Sequence, residues 1–324
     1  PTLAVAADAA REGWDDDRLQ QALDGSLTDG KLEVDEPKFV AGLTTVRLSA
    51  LERQGRTDEY LNLSRAAGKT QLYAEMLARE GEIQAAVDCA TENLSTPQSL
   101  LEIAQTLRDT GNLIAALDVA EHGLTVDGFR KARLAEWLRD RAASLGKEDL
   151  ALRAAIVAFE ESPSPRTYQA VEELADDEWD SVRSELLESL REQTPASGHA
   201  AEVFLEEALY DDAVEVAERS GRSRVVKTVV EEVREHRPQW VIRTCKSNAE
   251  PIVEQGKHDS YETAVRWLRY AGEAAREADE LDEWREYVET MRDEHYQKYK
   301  LRPMLDDLLE EFRSPVDSEV SSDG

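Results

Sequence analysis

Residues 146–163, GKEDLALRAAIVAFEESP, decide the fold of this chain. The stretch opens on Gly146 and closes on Pro163. Between them, small or apolar residues recur three and four positions apart, which places them on one face of an α-helix. They are Ala151, Leu152, Ala155, Ala158 and Phe159. No pair of residues in the stretch is suited to acid–base chemistry, so the pattern predicts a helix whose role is packing.

Weaker copies of this pattern recur along the chain. They begin at Gly55, Gly81, Gly111 and Ala208, with a faint copy at Asp177, and successive copies start 26 to 35 residues apart. Most of the copies carry an alanine five positions after their first residue, and these alanines are Ala86, Ala116, Ala151 and Ala213. A period in this range is typical of stacked helical pairs.

The residue types have physical reasons. Glycine fits a turn between two helices where φ is positive. Alanine lets two helix backbones approach closely, and the larger residue beside it fills the space against the next pair. Because one pair cannot bury its apolar face alone, the pairs must stack. We therefore expect an all-α solenoid of stacked antiparallel helix pairs.

The pattern resembles the second half of a tetratricopeptide repeat. That family repeats a Gly, an apolar residue at +2, Ala at +5, an aliphatic residue at +6 and Pro at +17. Residues 146–163 match except at +2, where Glu148 stands. The other copies are degenerate and loosely spaced, which favours a tetratricopeptide-like solenoid over a regular array.

Charge and composition restrict the function. The chain has 69 acidic and 39 basic residues, a net charge of −30. Such a surface is typical of a high-salt cytoplasm and repels phosphate, which argues against broad nucleic-acid binding. The sequence contains no run of 18 apolar residues and no secretory signal, so we expect a cytoplasmic protein without membrane contact.

Candidate chemical groups are few. Cys89 and Cys245 lie far apart and outside any zinc motif, so we expect two reduced core thiols, no metal site and no cofactor in this chain. His258, Asp259 and Ser260 are adjacent and cannot form a nucleophile–base–orienter geometry. Asp259 or Ser260 suits the N-cap of the next helix instead. The sequence predicts no enzyme.

Four segments follow from the pattern. We expect N-terminal helices and a loop over 1–42, a degenerate repeat array over 43–220, a longer-helix region that continues the solenoid over 221–312, and a disordered tail over 313–324. Charge is unevenly distributed, because residues 219–304 contain 17 bases and 17 acids and the remainder carries the whole net charge.

Several long phrases resemble the C-terminal region of the prokaryotic SWIM zinc-finger family. They are LERQGRTDEYLNLSRAAGKTQLYAEML (51–77), HRPQWVIRTCKSNAEPIVEQGK (236–257), YETAVRWLRYAGEAA (261–275) and KYKLRPML (298–305). In that family a Cys-x-Cys…Cys-x-His finger, associated with zinc and with contact to DNA or protein, precedes a helical repeat region. This chain has neither motif. The resemblance implies that this chain is the helical part downstream of such a finger, and the start at Pro1 fits a fragment. Zinc would then be bound only upstream of this chain.

The region around Pro238 holds the best candidate site. It contains His236, Arg237, Trp240, Arg243 and Lys246. One interpretation is a cationic, aromatic recognition patch for an acidic partner or phosphate, because the last three share a helix face. The other places Trp240 in the core and pairs the cations with acids such as Glu235 and Glu250.

A second basic cluster lies at Lys298, Lys300 and Arg302, beside Tyr299. It could contact nucleic acid, or simply place cations at the C-terminal end of a helix. The sequence as a whole favours a non-enzymatic scaffold that binds a protein or peptide partner. The alternative is a nucleic-acid-binding accessory region acting through the charge-neutral C-terminal third.

Overall fold

A computed structural model describes residues 14–27, 32, 38–193 and 198–313, with the side chains of 38–42 excepted. Most of the predicted N-terminal segment 1–42, and the predicted tail beyond Arg313, lie outside these residues. All regular elements in the described residues are helical. The chain divides into two compact units: Pro1–Ser162 with Arg166–Arg183, and Pro163–Pro165 with Ser184–Gly324. The four predicted segments stay predictions.

The first unit contains a succession of short helices. They are α1 (Asp17–Leu23), α2 (Lys38–Gln54), α3 (Thr57–Ala66), α4 (Thr70–Arg79), α5 (Ile83–Asn93), α6 (Pro97–Asp109), α7 (Leu113–Leu124), α8 (Lys131–Ser144), α9 (Glu148–Glu161) and α10 (Pro165–Ala175), followed by the start of α11 (Trp179–Glu192). Within the run from α4 to α9, neighbouring helices pack against each other, and so do helices two positions apart. This arrangement confirms the predicted all-α stacking of helix pairs.

The second unit is also built of successive helices, of which α15 and α16 are the longest. After the end of α11 come α12 (Gly198–Glu206), α13 (Tyr210–Ser220), α14 (Ser223–Glu232), α15 (Pro238–Gln255), α16 (Tyr261–Glu277), α17 (Leu281–Glu294) and α18 (Leu301–Glu311). Helix α12 packs on α13 and α14, and α16 packs on α15, α17 and α18. Pro238 occupies the first turn of α15, as predicted, and α15 continues through Pro251. No helix within the described ranges is both long and apolar enough to cross a bilayer.

The predicted turn glycines adopt the left-handed conformation. Gly111 has φ 85°, and the N–H of the following Asn112 donates to Leu107 O at 2.8 Å. A Cβ at Gly111 would meet no atom within 4 Å, so the backbone conformation alone demands glycine here. Three further predicted anchors share this geometry, namely Gly55, Gly81 and Gly146.

The predicted alanines lie where helices meet. Each is completely buried, and the four are Ala86, Ala116, Ala151 and Ala213. Helix α9 ends at Glu161, and Pro163 follows two residues later and is buried. The repeat element therefore begins, packs and ends as the sequence predicts. Its glycine and proline set the backbone conformation at the two ends, and its alanine lets neighbouring helix backbones come close together.

Ala208 occupies the same turn without being glycine. Its φ is 54°, and the next N–H, of Leu209, donates to Phe204 O at 2.8 Å. A left-handed residue with a Cβ costs about 1–2 kcal/mol.

We expect Ala208→Gly to raise the free energy of unfolding by about 1 kcal/mol, after allowance for the extra freedom of glycine in the unfolded chain. Urea denaturation at high salt measures this, with Gly111→Ala as the reverse control. A loss of stability on Ala208→Gly would contradict the assignment.

Candidate functional site

A shallow groove runs beside the first half of α15. It encloses about 430 Å³ and is lined by Gln239, Ile242, Arg243, Lys246, Ser247, Glu250 and Glu280. We call it the α15 groove. Ile242 is buried and contributes apolar surface, whereas Glu280 comes from the turn that precedes α17. Gln239 Nε2 donates to Glu280 Oε1 at 2.8 Å, which ties the turn to the start of α15.

Arg243 and Lys246 supply positive charge to this groove. The Arg243 side chain is 71% exposed, and its Nη2 lies 3.7 Å from Glu218 Oε1. Lys246 Nζ lies 4.2 Å from the centroid of the Tyr287 ring. Both cations are held by weak contacts that a stronger acidic ligand could replace. The two residues therefore share a surface, as their spacing predicts.

Tyr287 forms part of the support for Lys246. Its hydroxyl donates to Glu250 Oε1 at 2.7 Å. Burial, followed by the neighbouring Glu250 carboxylate, raises the pKa of the Tyr287 phenol well above its ordinary value. The phenol therefore remains protonated at neutral pH, and its ring stays available to the ammonium group of Lys246.

Trp240 lies in the core rather than in the groove. The side chain is buried, and its Nε1 donates to Glu218 Oε1 at 2.8 Å. Glu218 therefore contacts both Trp240 and Arg243. The interpretation that placed Trp240 in the core is therefore the correct one for this residue. Arg243 pairs with an acid, as that interpretation expected, but the acid is Glu218 and not Glu235 or Glu250.

His236 and Arg237 connect the start of α15 to the start of α13. The His236 ring stacks on Tyr210 with centroids 3.9 Å apart. Arg237 donates through Nε and Nη2 to the two oxygens of Asp211, at 2.5 and 2.7 Å. The guanidinium holds the pKa of the Asp211 carboxyl below its ordinary value. These two predicted site residues thus act as a bridge between helices.

The second predicted cluster separates into two roles. Lys298 Nζ donates to Val253 O in the last turn of α15, so this cation fixes a loop. Lys300 and Arg302 are exposed. Beside them Tyr299 is 67% exposed and Tyr296 is 62% exposed. Sequence reasoning missed Tyr296, because the pattern gave no signal that its ring would face solvent.

A smaller cavity of about 170 Å³ continues from the groove toward this loop. Its lining includes Glu250, which also lines the α15 groove, together with Val253, Glu254, Tyr287, Thr290, Met291, Glu294 and His295. Burial, followed by the charge of Lys298, lowers the pKa of His295 below its ordinary value. At neutral pH His295 is therefore uncharged. Along the strip between α15 and α17, the cations of the groove are followed by the acidic side chains of the cavity and then by the loop.

The remaining candidate groups are the two cysteines and the side chains able to ligate a metal. Within them, no group of three His, Cys, Asp or Glu side chains is placed to hold a metal ion. Both cysteines are free. Cys245 is fully buried, and Cys89 is partly buried and packs against the core of the first unit. Burial raises the pKa of both thiols, which keeps them protonated and poorly nucleophilic.

The helix packing places this chain among all-α proteins built from successive helix pairs. No family model and no curated protein matches it. A solved structure titled DHF58 filament aligns with 84% of this chain and 100% of its own chain, at 19% identity and a TM-score of 0.13. A score that low does not establish a shared fold.

Proposed function

We propose that the chain is a non-enzymatic protein-interaction scaffold, and that it forms the helical arm of a SWIM zinc-finger protein of a high-salt cytoplasm. The observation that supports the scaffold function is the stacking of helix pairs, in which the repeated residues are buried between helices. Stacked pairs present continuous surfaces to peptides or helices of a partner. In the intact protein, zinc would be held by an upstream finger.

The α15 groove is the proposed contact surface. Its cations lie in the stretch of balanced charge, 219–304, while the remainder of the chain carries the net charge of −30. An acidic partner is therefore repelled least at this part of the chain. Arg243 and Lys246 are weakly engaged, so a carboxylate from a partner can displace their present contacts.

We expect Arg243→Glu with Lys246→Glu to reduce partner capture about tenfold or more without unfolding the protein, because it reverses the charge of the groove. The measurement is affinity capture from native extract at native salt, quantified by mass spectrometry. The matched control is Lys147→Glu with Arg153→Glu, an equal charge change on exposed residues of the first unit. Arg243→Gln with Lys246→Gln avoids new repulsion with Glu250 and should give a smaller loss. Far-UV circular dichroism checks the fold of every variant.

Equal losses in the groove variant and the control would contradict a specific site, since bulk charge would then explain both. Unchanged capture by the groove variant would remove the α15 groove as the contact surface. The family assignment has a separate test, namely the coding sequence upstream of residue 1. A Cys-x-Cys…Cys-x-His pattern there supports it, and an upstream sequence without one contradicts it.

A further inference from the structure

The loop between α17 and α18 presents two aromatic rings to solvent. Tyr296 and Tyr299 are 62% and 67% exposed, among the most exposed large hydrophobic side chains of the described residues. The Tyr299 ring is supported from the short turn between α15 and α16, where the ring of His258 lies 5.6 Å away in an edge-on contact. We call this surface the tyrosine patch, composed of Lys257, His258, Tyr296, Tyr299, Lys300 and Arg302.

The backbone that carries these rings is fixed. Lys298 Nζ donates to Val253 O, which ties the loop to the end of α15. The Lys298 carbonyl in turn accepts the N–H groups of Leu301 and Arg302, at 2.9 and 3.1 Å. Rings displayed on a fixed backbone lose little conformational entropy when a ligand covers them. The loop therefore has the properties of a preformed binding surface.

Three cations of the patch have no ion-pair partner in the part of the chain that the structure describes. Lys257, Lys300 and Arg302 are exposed and form no salt bridge within the described residues. The contrast with nearby arginines is clear, since Arg292 pairs with Asp293 and Asp306. Exposed cations next to exposed rings match a ligand that combines carboxylates with apolar rings.

The loop that carries the patch is hydrogen-bonded to a residue that lines the small cavity. Val253 accepts the bond from Lys298 and also lines the small cavity, which shares Glu250 with the α15 groove. The acidic residues that line this cavity, Glu250, Glu254 and Glu294, would repel an acidic ligand, which confines such a ligand to the patch. Polyproline segments dock on aromatic surfaces in an extended form, because they are already ordered before binding.

We infer that the tyrosine patch binds an acidic, proline-containing segment of a partner protein, with prolines against Tyr296 and Tyr299 and carboxylates at Lys257, Lys300 and Arg302. The inference deepens the proposed scaffold function and rests on it. A peptide fits better than nucleic acid. Every nucleotide carries a phosphate, which the acidic chain repels, whereas a peptide can place its few charges at the cations alone.

Fluorescence anisotropy with a labelled twelve-residue proline-rich peptide that carries three glutamates, one for each cation of the patch, tests the inference. We expect it to bind the full chain, and Tyr296→Ala with Tyr299→Ala to weaken binding about tenfold or more. Phe129→Ala, which removes a ring that is 78% exposed in the first unit, is the matched control and should bind as the unaltered chain does. The same peptide with lysine in place of each glutamate, and single-stranded oligothymidine of the same length, should bind at least tenfold more weakly.

Failure of the glutamate–proline peptide to bind, or equal binding by the tyrosine variant, overturns the inference. Preferential binding of oligothymidine, lost in the tyrosine variant and steeply weakened by salt, overturns it in favour of a nucleic-acid surface. The capture experiment separates the two proposals. If the tyrosine variant retains partners that the α15 groove variant loses, the patch is excluded while the scaffold function stands.

Discussion

Replacing Trp284 with alanine is expected to lower the free energy of unfolding by about 3–5 kcal/mol, because it removes the largest fully buried side chain of the described residues. The indole packs against the Phe312 ring with centroids 4.8 Å apart, and its Nε1 donates to Leu268 O at 3.0 Å. Alanine would leave a cavity and would also remove the hydrogen bond from the indole to Leu268 O.

Urea denaturation followed by far-UV circular dichroism measures this loss. Tyr299→Ala is the control, since it removes an exposed ring from the same unit and should cost less than about 0.5 kcal/mol. Trp284 also holds α17 on α16, and α17 supplies Tyr287 beneath Lys246. A change of less than about 1 kcal/mol for Trp284→Ala would contradict the packing described here.

The second large effect is expected at Gly272, on the face of α16 that meets the same indole. A Cβ at this position would lie 2.8 Å from Trp284 Cζ2 and 3.0 Å from Phe312 Cε1. These are rigid ring atoms in a filled core, so they cannot move aside cheaply. We expect Gly272→Val to cost about 3 kcal/mol through overpacking, despite the poor helix propensity of glycine.

A double-mutant cycle identifies the cause. Without the indole, valine at position 272 occupies space that Trp284→Ala leaves empty. The double variant should therefore lose about 1–3 kcal/mol less than the two single losses added together. Gly123→Val is an independent comparison, because its Cβ would approach Leu134 and not Trp284. Additive losses at Gly272 and Trp284 would show that the clash is not the source of the effect.

The candidate site was only partly predictable. The spacing of Arg243 and Lys246 placed them correctly on a common surface, since helix periodicity fixes which residues are neighbours. Periodicity cannot distinguish a tryptophan that faces solvent from one that faces a neighbouring helix. The position of Trp240 depends on α13, where Glu218 accepts its N–H, and that contact spans 22 residues of sequence.

The loop cations show the same limit. Lys298, Lys300 and Arg302 look equivalent in KYKLRPML, yet Lys298 bonds to a carbonyl 45 residues earlier while the other two stay exposed. The contact of His258 with Tyr299 likewise joins two loops that no local pattern relates. The binding surfaces proposed above therefore depend on distant pairings.

What the sequence by itself determined is local: an all-α chain, the left-handed turns at Gly55, Gly81, Gly111 and Gly146, and the buried alanines that follow most of them. These features depend on backbone conformation and on spacing within one helix, both of which a few neighbouring residues control. Only the tertiary structure decided which cations are engaged, which aromatic rings face solvent, and where α15 and α17 leave a groove. Those outcomes depend on partners tens of residues away, whose positions follow from how the helices pack.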